Sequence, residues 1–278
     1  MLLTMSGLLF YRFYVKPTYQ MWRYKSNPEY PSPEKVRSEI LTMLKGLASA
    51  TLCPALTLYL SHNGWSKAHC EWNTEANPWW WQVICFIIVW IGSDFLEFYY
   101  HRLGHTVSSM WEIHKPHHQF FNPSPFAVIA DEYIDQIARA SPLIIFPLLM
   151  PINMDLIFFE YALFFYAYGV YLHLGYEWKG IDAHNRWINS SYQHYAHHAY
   201  SIKNKPYHTG FFFKAWDQMF GSIYDGRCTC AGCARERGER TEEAWSKIVV
   251  PDYSPLLTWR FWKEGVFPSK SSATDKAA

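Results

Sequence analysis

Residues Trp79–His105 read WWWQVICFIIVWIGSDFLEFYYHRLGH. The part from Trp79 to Tyr99 has the length a bilayer demands of a helix, about 20 mostly apolar residues. Asp94 and Glu97 near its end are expensive in lipid. They are expected to face the protein interior or to sit at the membrane boundary, just before His101. His101 and His105 follow at a spacing of four, which places both side chains on one helix face. The stretch therefore reads as a spanning helix that delivers a pair of imidazoles where it leaves the membrane.

Two further clusters have related spacing, His114-Lys-Pro-His117-His118 and His194-Tyr-Ala-His197-His198. With His101 and His105 they hold eight of the 13 histidines, so each cluster can present several imidazoles to one point. Neutral imidazole is a good ligand for iron, zinc, copper or nickel. A lone histidine on an apolar helix is usually a satisfied core residue, but three related clusters in so apolar a chain are not explained that way. The clusters contain no carboxylate, so the Glu-x-x-His di-iron bundle is not the template. A buried iron pair held by imidazoles is. Catalytic zinc sites keep three protein ligands and an open position, which makes a zinc hydrolase a poor alternative.

Half of the residues are hydrophobic and 19% are aromatic, a loading that suits membrane–water interfaces where amphipathic rings settle. The formal net charge of +1 and the lack of a basic patch give no argument for nucleic acid. Six cysteines are too few and too scattered for a secreted disulfide framework. Three of them form Cys228-Thr-Cys230-Ala-Gly-Cys233. This triplet has no fourth ligand close by in sequence, His208 being the nearest histidine, and reads as reactive thiols in a reduced tail rather than as a zinc clip.

A weaker span is Gly46–Leu60. Met1–Phe10 is too short to cross alone and lacks a small-residue cleavage site, so it is not read as a cleaved signal peptide; it is an interfacial anchor or part of another span. The third apolar region, Pro142–Leu172, is interrupted by Pro147 and Pro151. At about 1.5 Å per residue it makes roughly 46 Å of helix, too little for two crossings of a ~30 Å core. A short hairpin that enters and leaves on one side is expected. The clusters must meet at one metal centre, so an even number of crossings separates them. Residues 12–45 carry seven Lys and Arg (Arg12, Lys16, Arg23, Lys25, Lys35, Arg37, Lys45), whereas Ser61–Pro78 has Lys67 against Glu71 and Glu75. The positive-inside rule then makes the N-terminal segment, the metal site and the tail cytosolic, and Ser61–Pro78 lumenal. His62 and His69 fall on the wrong face and are excluded as ligands. The expected architecture is an all-α integral membrane helical bundle with a cytosolic histidine-rich di-iron cap. Residues 1–45 form an N-terminal juxtamembrane segment, 46–225 the membrane-embedded catalytic domain, and 226–278 a polar, solvated tail.

The order His-x3-His, His-x2-His-His, His-x2-His-His resembles the fatty acid hydroxylase and sterol desaturase superfamily of membrane di-iron enzymes. His114–His118 followed by Asn122-Pro-Ser-Pro-Phe-Ala127 is similar to the second box and downstream segment of the sterol C-5 desaturases (lathosterol oxidases). His173-Leu-Gly-Tyr-Glu177 resembles a His-Ser-Gly-Tyr segment of the C-4 methylsterol oxidases. Trp216-Asp-Gln-Met-Phe-Gly-Ser222 is similar to the Trp-Asp-Arg-x-Phe-Gly-Thr ending of the superfamily. Asn27-Pro-Glu-Tyr and Val36-Arg-Ser-Glu-Ile40 echo the juxtamembrane stretch of the C-5 desaturases. The resemblance covers roughly residues 25–225.

It implies nine metal ligands: His101, His105, His114, His117, His118, His173, His194, His197 and His198. His184 and His208 are candidates for a tenth. Asp94, Glu97, Asp131, Glu132 and Asp135 are candidate partners for imidazole N–H groups, and Asp217 is expected to hold the tail against the site. The family's chemistry implies two iron ions (Fe2+/Fe3+), O2 as cosubstrate, and electrons from NAD(P)H through a separate b5-type cytochrome and reductase, in the endoplasmic reticulum membrane. Sterol C-5 desaturation is the activity implied first. A C-4 methylsterol oxidase or a fatty acid or alkane hydroxylase would use the same site, and a non-enzymatic membrane metal-binding protein would keep the ligands alone. Glu132-Tyr133 stands where many relatives have His-Pro, and the stretch from His198 to His208 is about four residues longer than in C-5 desaturases. Both departures bear on the substrate.

Overall fold

A computed structural model describes residues 1–266, so the end of the expected tail lies outside the described residues. These residues are mostly helical, and among them three helices are long and apolar enough to cross a membrane: Pro33–His62, Trp79–Thr106 and Met154–Leu172. Ser32 caps the first, its hydroxyl accepting from Lys35 N with Pro33 in the first turn, where a missing N–H costs nothing. The expected span Gly46–Leu60 thus lies in the later part of a longer helix, whose regular bonding is interrupted at Thr51.

Pro78 opens the Trp79–Thr106 helix and Val107 ends it with an extended backbone. Its 28 residues make about 42 Å at about 1.5 Å per residue, longer than a ~30 Å hydrocarbon core. Val83, Ile84, Ile87, Ile88 and Ile91 are exposed along its outer side, and Trp65, Trp72, Trp79 and Trp80 are exposed around its start. That is the pattern of a lipid-facing wall with an aromatic rim. The inner side carries Cys85 and Val89, buried against Leu143, Phe146, Ile157 and Tyr161.

The short one-sided hairpin expected at Pro142–Leu172 is replaced by a deeper one. Its descending limb begins at Tyr133 and consists of two short helices, Tyr133–Ala140 and Pro142–Leu149. Forty residues from 133 to 172 make about 60 Å of path, enough for two crossings of the ~30 Å core. The hairpin's tip reaches the loop between the first two spans, where Ala68 pairs with Ile152 and His69 with Asn153 in a parallel two-stranded ribbon. Lys67 N donates to Pro147 O at 2.7 Å, and Asn153 Nδ2 donates to Cys70 O and Glu71 O at 3.2 Å each. The expected parity survives, since two limbs still separate the clusters.

Met1–Val15 folds onto the histidine-bearing end. Ser6 Oγ donates to Pro125 O at 2.9 Å, and Tyr14 OH donates to Leu174 O at 2.8 Å. Tyr14, Trp22, Met43, Tyr171, Leu174 and Tyr176 belong to a large buried apolar cluster there. The expected solvated tail is packed as well. Tyr253 is buried with Phe10, Trp245 lies 5.6 Å from Trp22 between ring centroids, and Arg240 Nη2 donates to Lys25 O at 3.1 Å. Its charges read as solvated, but the apolar residues spaced among them seat it on the N-terminal segment.

Candidate metal centre

Five elements deliver the histidines. His101 and His105 lie one turn apart near the end of the long helix, His114 ends the helix Ser108–His114, and His117 and His118 follow in a tight turn. His194, His197 and His198 project from the helix Ser191–Tyr200, which a reciprocal box starts: Ser190 Oγ accepts from Tyr192 N at 3.2 Å and Gln193 Oε1 accepts from Ser190 N at 2.9 Å. Such a box satisfies two otherwise orphaned donors. His173 stands at the upper end of the ascending limb.

The structure gathers these nine side chains into two adjacent groups. His101, His105, His114, His118 and His197 form one, and His117, His173, His194 and His198 the other, with the ligand atoms of each group within 4.8 Å of one another. The groups meet where the rings of His118 and His198 are 5.3 Å apart. Neither His184 nor His208 joins either group; His208 Nε2 accepts from Tyr224 N at 3.3 Å instead.

The inner nitrogens face one another, and six of the nine outer ones are tied down. His101 Nδ1 donates to Thr209 O at 3.0 Å, His105 Nδ1 to Ile202 O at 3.2 Å, His173 Nδ1 to Gly169 O at 2.8 Å and His197 Nδ1 to Tyr207 O at 2.7 Å. His114 Nδ1 donates to Asp135 Oδ2 at 3.0 Å. His117 Nδ1 donates to Ala130 O at 3.3 Å and stands 3.0 Å from Asp131 Oδ1. These bonds place the ring proton on Nδ1 and leave the Nε2 lone pair pointing inward, which is how a ligating histidine is held. Nε2 of His101, His105 and His117 is buried without a partner, whereas His114, His118 and His197 bring their Nε2 atoms within 3.1–3.2 Å of one another in sequence. Unpartnered buried nitrogens are rare in native proteins. Converging lone pairs with nothing to bind make a cation the group these residues fit.

Burial first, then neighbouring imidazoles, hold His118, His194, His197 and His198 well below the ordinary histidine range. His173 is pushed down to about 3, mainly by burial. All five rings are therefore neutral at neutral pH, the form that ligates. Burial alone would raise Asp131, but its partners outweigh it: His117 and Arg139 hold the Asp131 carboxyl low.

Of the five candidate carboxylates, then, Asp131 and Asp135 reach the rings. Asp94 instead accepts from Phe212 N at 2.7 Å, Phe213 N at 3.2 Å and Trp216 Nε1 at 2.7 Å, tying the segment after His208 to the long helix. Glu97 pairs with Arg139, and Glu132 is half-buried away from the rings. Asp217 accepts from Thr209 N at 3.0 Å, Gly210 N at 2.9 Å and Ser222 Oγ at 2.6 Å, so it holds the segment whose Thr209 carbonyl fixes His101.

Arg139 was not singled out in the sequence. It bridges Glu97 and, at 3.8 Å, Asp131, and the spacing Asp131, Asp135, Arg139 was the available signal. A narrow cleft lies beside this layer. Glu97, Gln136 and Arg139 line its polar part, and Ile129, Phe165, Tyr166 and Phe211 are among its apolar walls.

Residues 86–222 match the family model described as Fatty acid hydroxylase. A Delta(7)-sterol 5(6)-desaturase of Gibberella zeae is 30% identical over 152 residues, 54% of this chain and 45% of that protein. Lathosterol oxidase of Mus musculus is 27% identical over 190 residues, 68% of this chain and 61% of that protein. The human lathosterol oxidase is 25% identical over 189 residues, with the same coverage of 68% and 61%. The chain thus spans about half to three-fifths of the length of these curated relatives. No solved structure matches it.

Proposed function

We propose that this chain, whose residues 86–222 belong to the fatty acid hydroxylase family, is a membrane-bound, oxygen-dependent di-iron lipid oxidoreductase, and specifically a sterol C-5 desaturase. The observation that carries the reading is the pair of histidine groups, with six Nδ1 atoms tied outward and the Nε2 atoms turned inward. The similarity to Delta(7)-sterol 5(6)-desaturases and lathosterol oxidases supports the substrate.

Two irons would sit one per group, the first held by His101, His105, His114, His118 and His197, the second by His117, His173, His194 and His198. When bound, they supply the oxidant for an unactivated C–H bond. In the balanced reaction a Δ7-sterol loses one hydrogen each from C5 and C6, and O2, with two electrons and two protons, becomes two waters. The protein's own part is positioning and exclusion of water. Backbone carbonyls and Asp135 fix the ring tautomers, and Arg139 bridges the Asp131 and Glu97 carboxylates beside the cleft. The apolar and aromatic cleft walls fit a rigid, mostly apolar ligand entering from the bilayer. Residues 46–225 would form the catalytic unit.

Electrons would come from NAD(P)H through a b5-type cytochrome and its reductase. The surplus of Lys and Arg in residues 12–45 supports a cytosolic metal site in the endoplasmic reticulum membrane, where such a partner can dock. Expression in a host lacking sterol C-5 desaturase, with sterols and fatty acids profiled by mass spectrometry, tests the reading. A Δ7-sterol should become its Δ5,7 product, strictly dependent on oxygen and reduced cytochrome. Glu132 and Tyr133 at the head of the descending limb favour a second reading, in which a C-4 methylsterol, an acyl chain or an alkane is oxidised. Unchanged Δ7-sterol beside a new hydroxylated lipid would move the assignment there. Unchanged lipids with both irons bound and reduced would leave a metal-binding protein without this activity.

A further inference from the structure

The triplet Cys228, Cys230 and Cys233 lacked a fourth ligand in sequence, and folding supplies one. The loop that follows Glu177 brings His184 to the three sulfurs, and all four ligand atoms lie within 4.8 Å of one another. His184 Nε2 is 3.4 Å from Cys230 Sγ and 3.3 Å from Cys233 Sγ. We propose that His184, Cys228, Cys230 and Cys233 form a closed Cys3His zinc site, separate from the nine-histidine centre, that braces the outer face of the helix carrying His194, His197 and His198.

Geometry and donor type both point to zinc. Tetrahedral zinc with Zn–S near 2.3 Å and Zn–N near 2.0–2.1 Å needs ligand-to-ligand edges of about 3.6–3.8 Å, close to the distances found. One imidazole nitrogen has one lone pair in the ring plane, so it cannot accept from two thiols at once. A single cation between them satisfies all three atoms. The cysteines are unpaired in the structure, and Cys230 is fully buried. Cys230 Sγ accepts from Cys233 N at 3.3 Å, an N–H···S contact that stabilises a thiolate. Three thiolates and an imidazole select soft or borderline ions over magnesium or calcium, and a four-ligand set with no open position is structural zinc.

The surroundings hold the four ligands in place without the ion. Glu177 accepts from Ala183 N at 2.9 Å and from Ala231 N at 2.7 Å, bolting the His184 loop to the cysteine segment. Arg237 Nη1 donates to Cys228 O at 3.1 Å, bringing positive charge to a site whose ligands and ion sum to a net negative charge. The link to the catalytic helix is direct. Thr229 N donates to Tyr192 OH at 3.0 Å, and Cys230 packs with Ala183, Tyr192 and Ala196. Tyr192 and Ala196 alternate along that helix with His194 and His197, so the sulfur knot presses on the side that the imidazoles do not use.

Cobalt substitution separates this site from the imidazole groups, because a thiolate-to-cobalt charge-transfer band requires sulfur ligands. The full-length protein, purified in detergent under reducing conditions, should bind cobalt with that band and with the visible bands of tetrahedral cobalt. Elemental analysis of the zinc-loaded protein should show one zinc equivalent per chain more than in Cys230→Ser, with iron unchanged. His184→Ala, on an exposed loop where folding is not at stake, should keep the band weakened and lose the ion to a chelator at least tenfold faster. Wild-type protein without the band, or with the same zinc content as Cys230→Ser, would overturn the proposal. So would a disulfide within residues 228–233 under reducing purification. None of these readouts depends on lipid turnover, so they stand or fall apart from the proposed function.

Discussion

His114 Nδ1 and Asp135 Oδ2 lie 3.0 Å apart, both almost completely buried. The contact joins the second histidine cluster to the first turn of the helix that begins the descending limb. A carboxylate at this place fixes the ring tautomer and raises the basicity of the inward nitrogen. Asp135→Asn keeps the shape, still offers a carbonyl oxygen to the ring, and removes the charge. Metal affinity or turnover should fall by about 10–100-fold, the range seen when such partners are changed, with the protein still folded. Competition against a chelator measures it, and unchanged affinity would remove Asp135 from the centre's support.

His117→Ala and His197→Ala should each abolish lipid oxidation, because each removes an inward Nε2 from a different group. His62→Ala and His69→Ala should leave it intact, since both lie near the far end of the bundle, His69 pairing with Asn153 at the hairpin tip. Turnover and circular dichroism on all four variants check this. Wild-type turnover in either box variant would overturn the ligand assignment. A well-folded but inactive His62 or His69 variant would overturn the arrangement of the spans.

Asp94 holds three donors from residues 212–216. Asp94→Ala would strand Phe212 N, Phe213 N and Trp216 Nε1, at a cost of about 1–3 kcal/mol for each buried unsatisfied group. Thermal unfolding in detergent should shift down by several degrees, and less for Asp94→Asn, which retains one acceptor. An unshifted alanine variant would show that those donors find water or other partners.

Gly46 permits a close crossing. A Cβ there would stand 1.9 Å from the Ile129 carbonyl oxygen, in the turn just ahead of Asp131. Gly46→Ala must push that turn away, at about 1–3 kcal/mol for overpacking, and should lower metal retention along with stability because Ala130 and Asp131 both face His117. A variant as stable and as well loaded as wild type would contradict the close approach.

Much of the centre was legible because spacing fixes direction: histidines four apart (101/105, 114/118 and 194/198) share a group, while those three apart (114/117 and 194/197) serve the two groups in turn. His173 is different, since it stands alone in sequence, and only the family resemblance singled it out. The descending limb was misjudged for a physical reason. Asp135, Gln136 and Arg139 look too polar for a membrane helix, yet they turn toward the centre, while Tyr133, Ile134 and Ile137 are exposed on the other side. Counting apolar residues from Pro142 onward therefore left out the part of the helix that makes two crossings possible. The partner for the cysteines was illegible for another reason. His184 lies in a loop far upstream, and its approach depends on Glu177 bridging two backbone segments, a long-range contact without a local signature.

Nine imidazoles in two groups should hold two irons, and an iron count is the decisive measurement. Full-length wild-type protein, reconstituted with ferrous iron without oxygen and freed of loosely bound metal, should hold two irons per chain. His117→Ala and His197→Ala should each hold about one, since each damages a different group. Iron binding by wild type that saturates at one per chain or below would contradict the account.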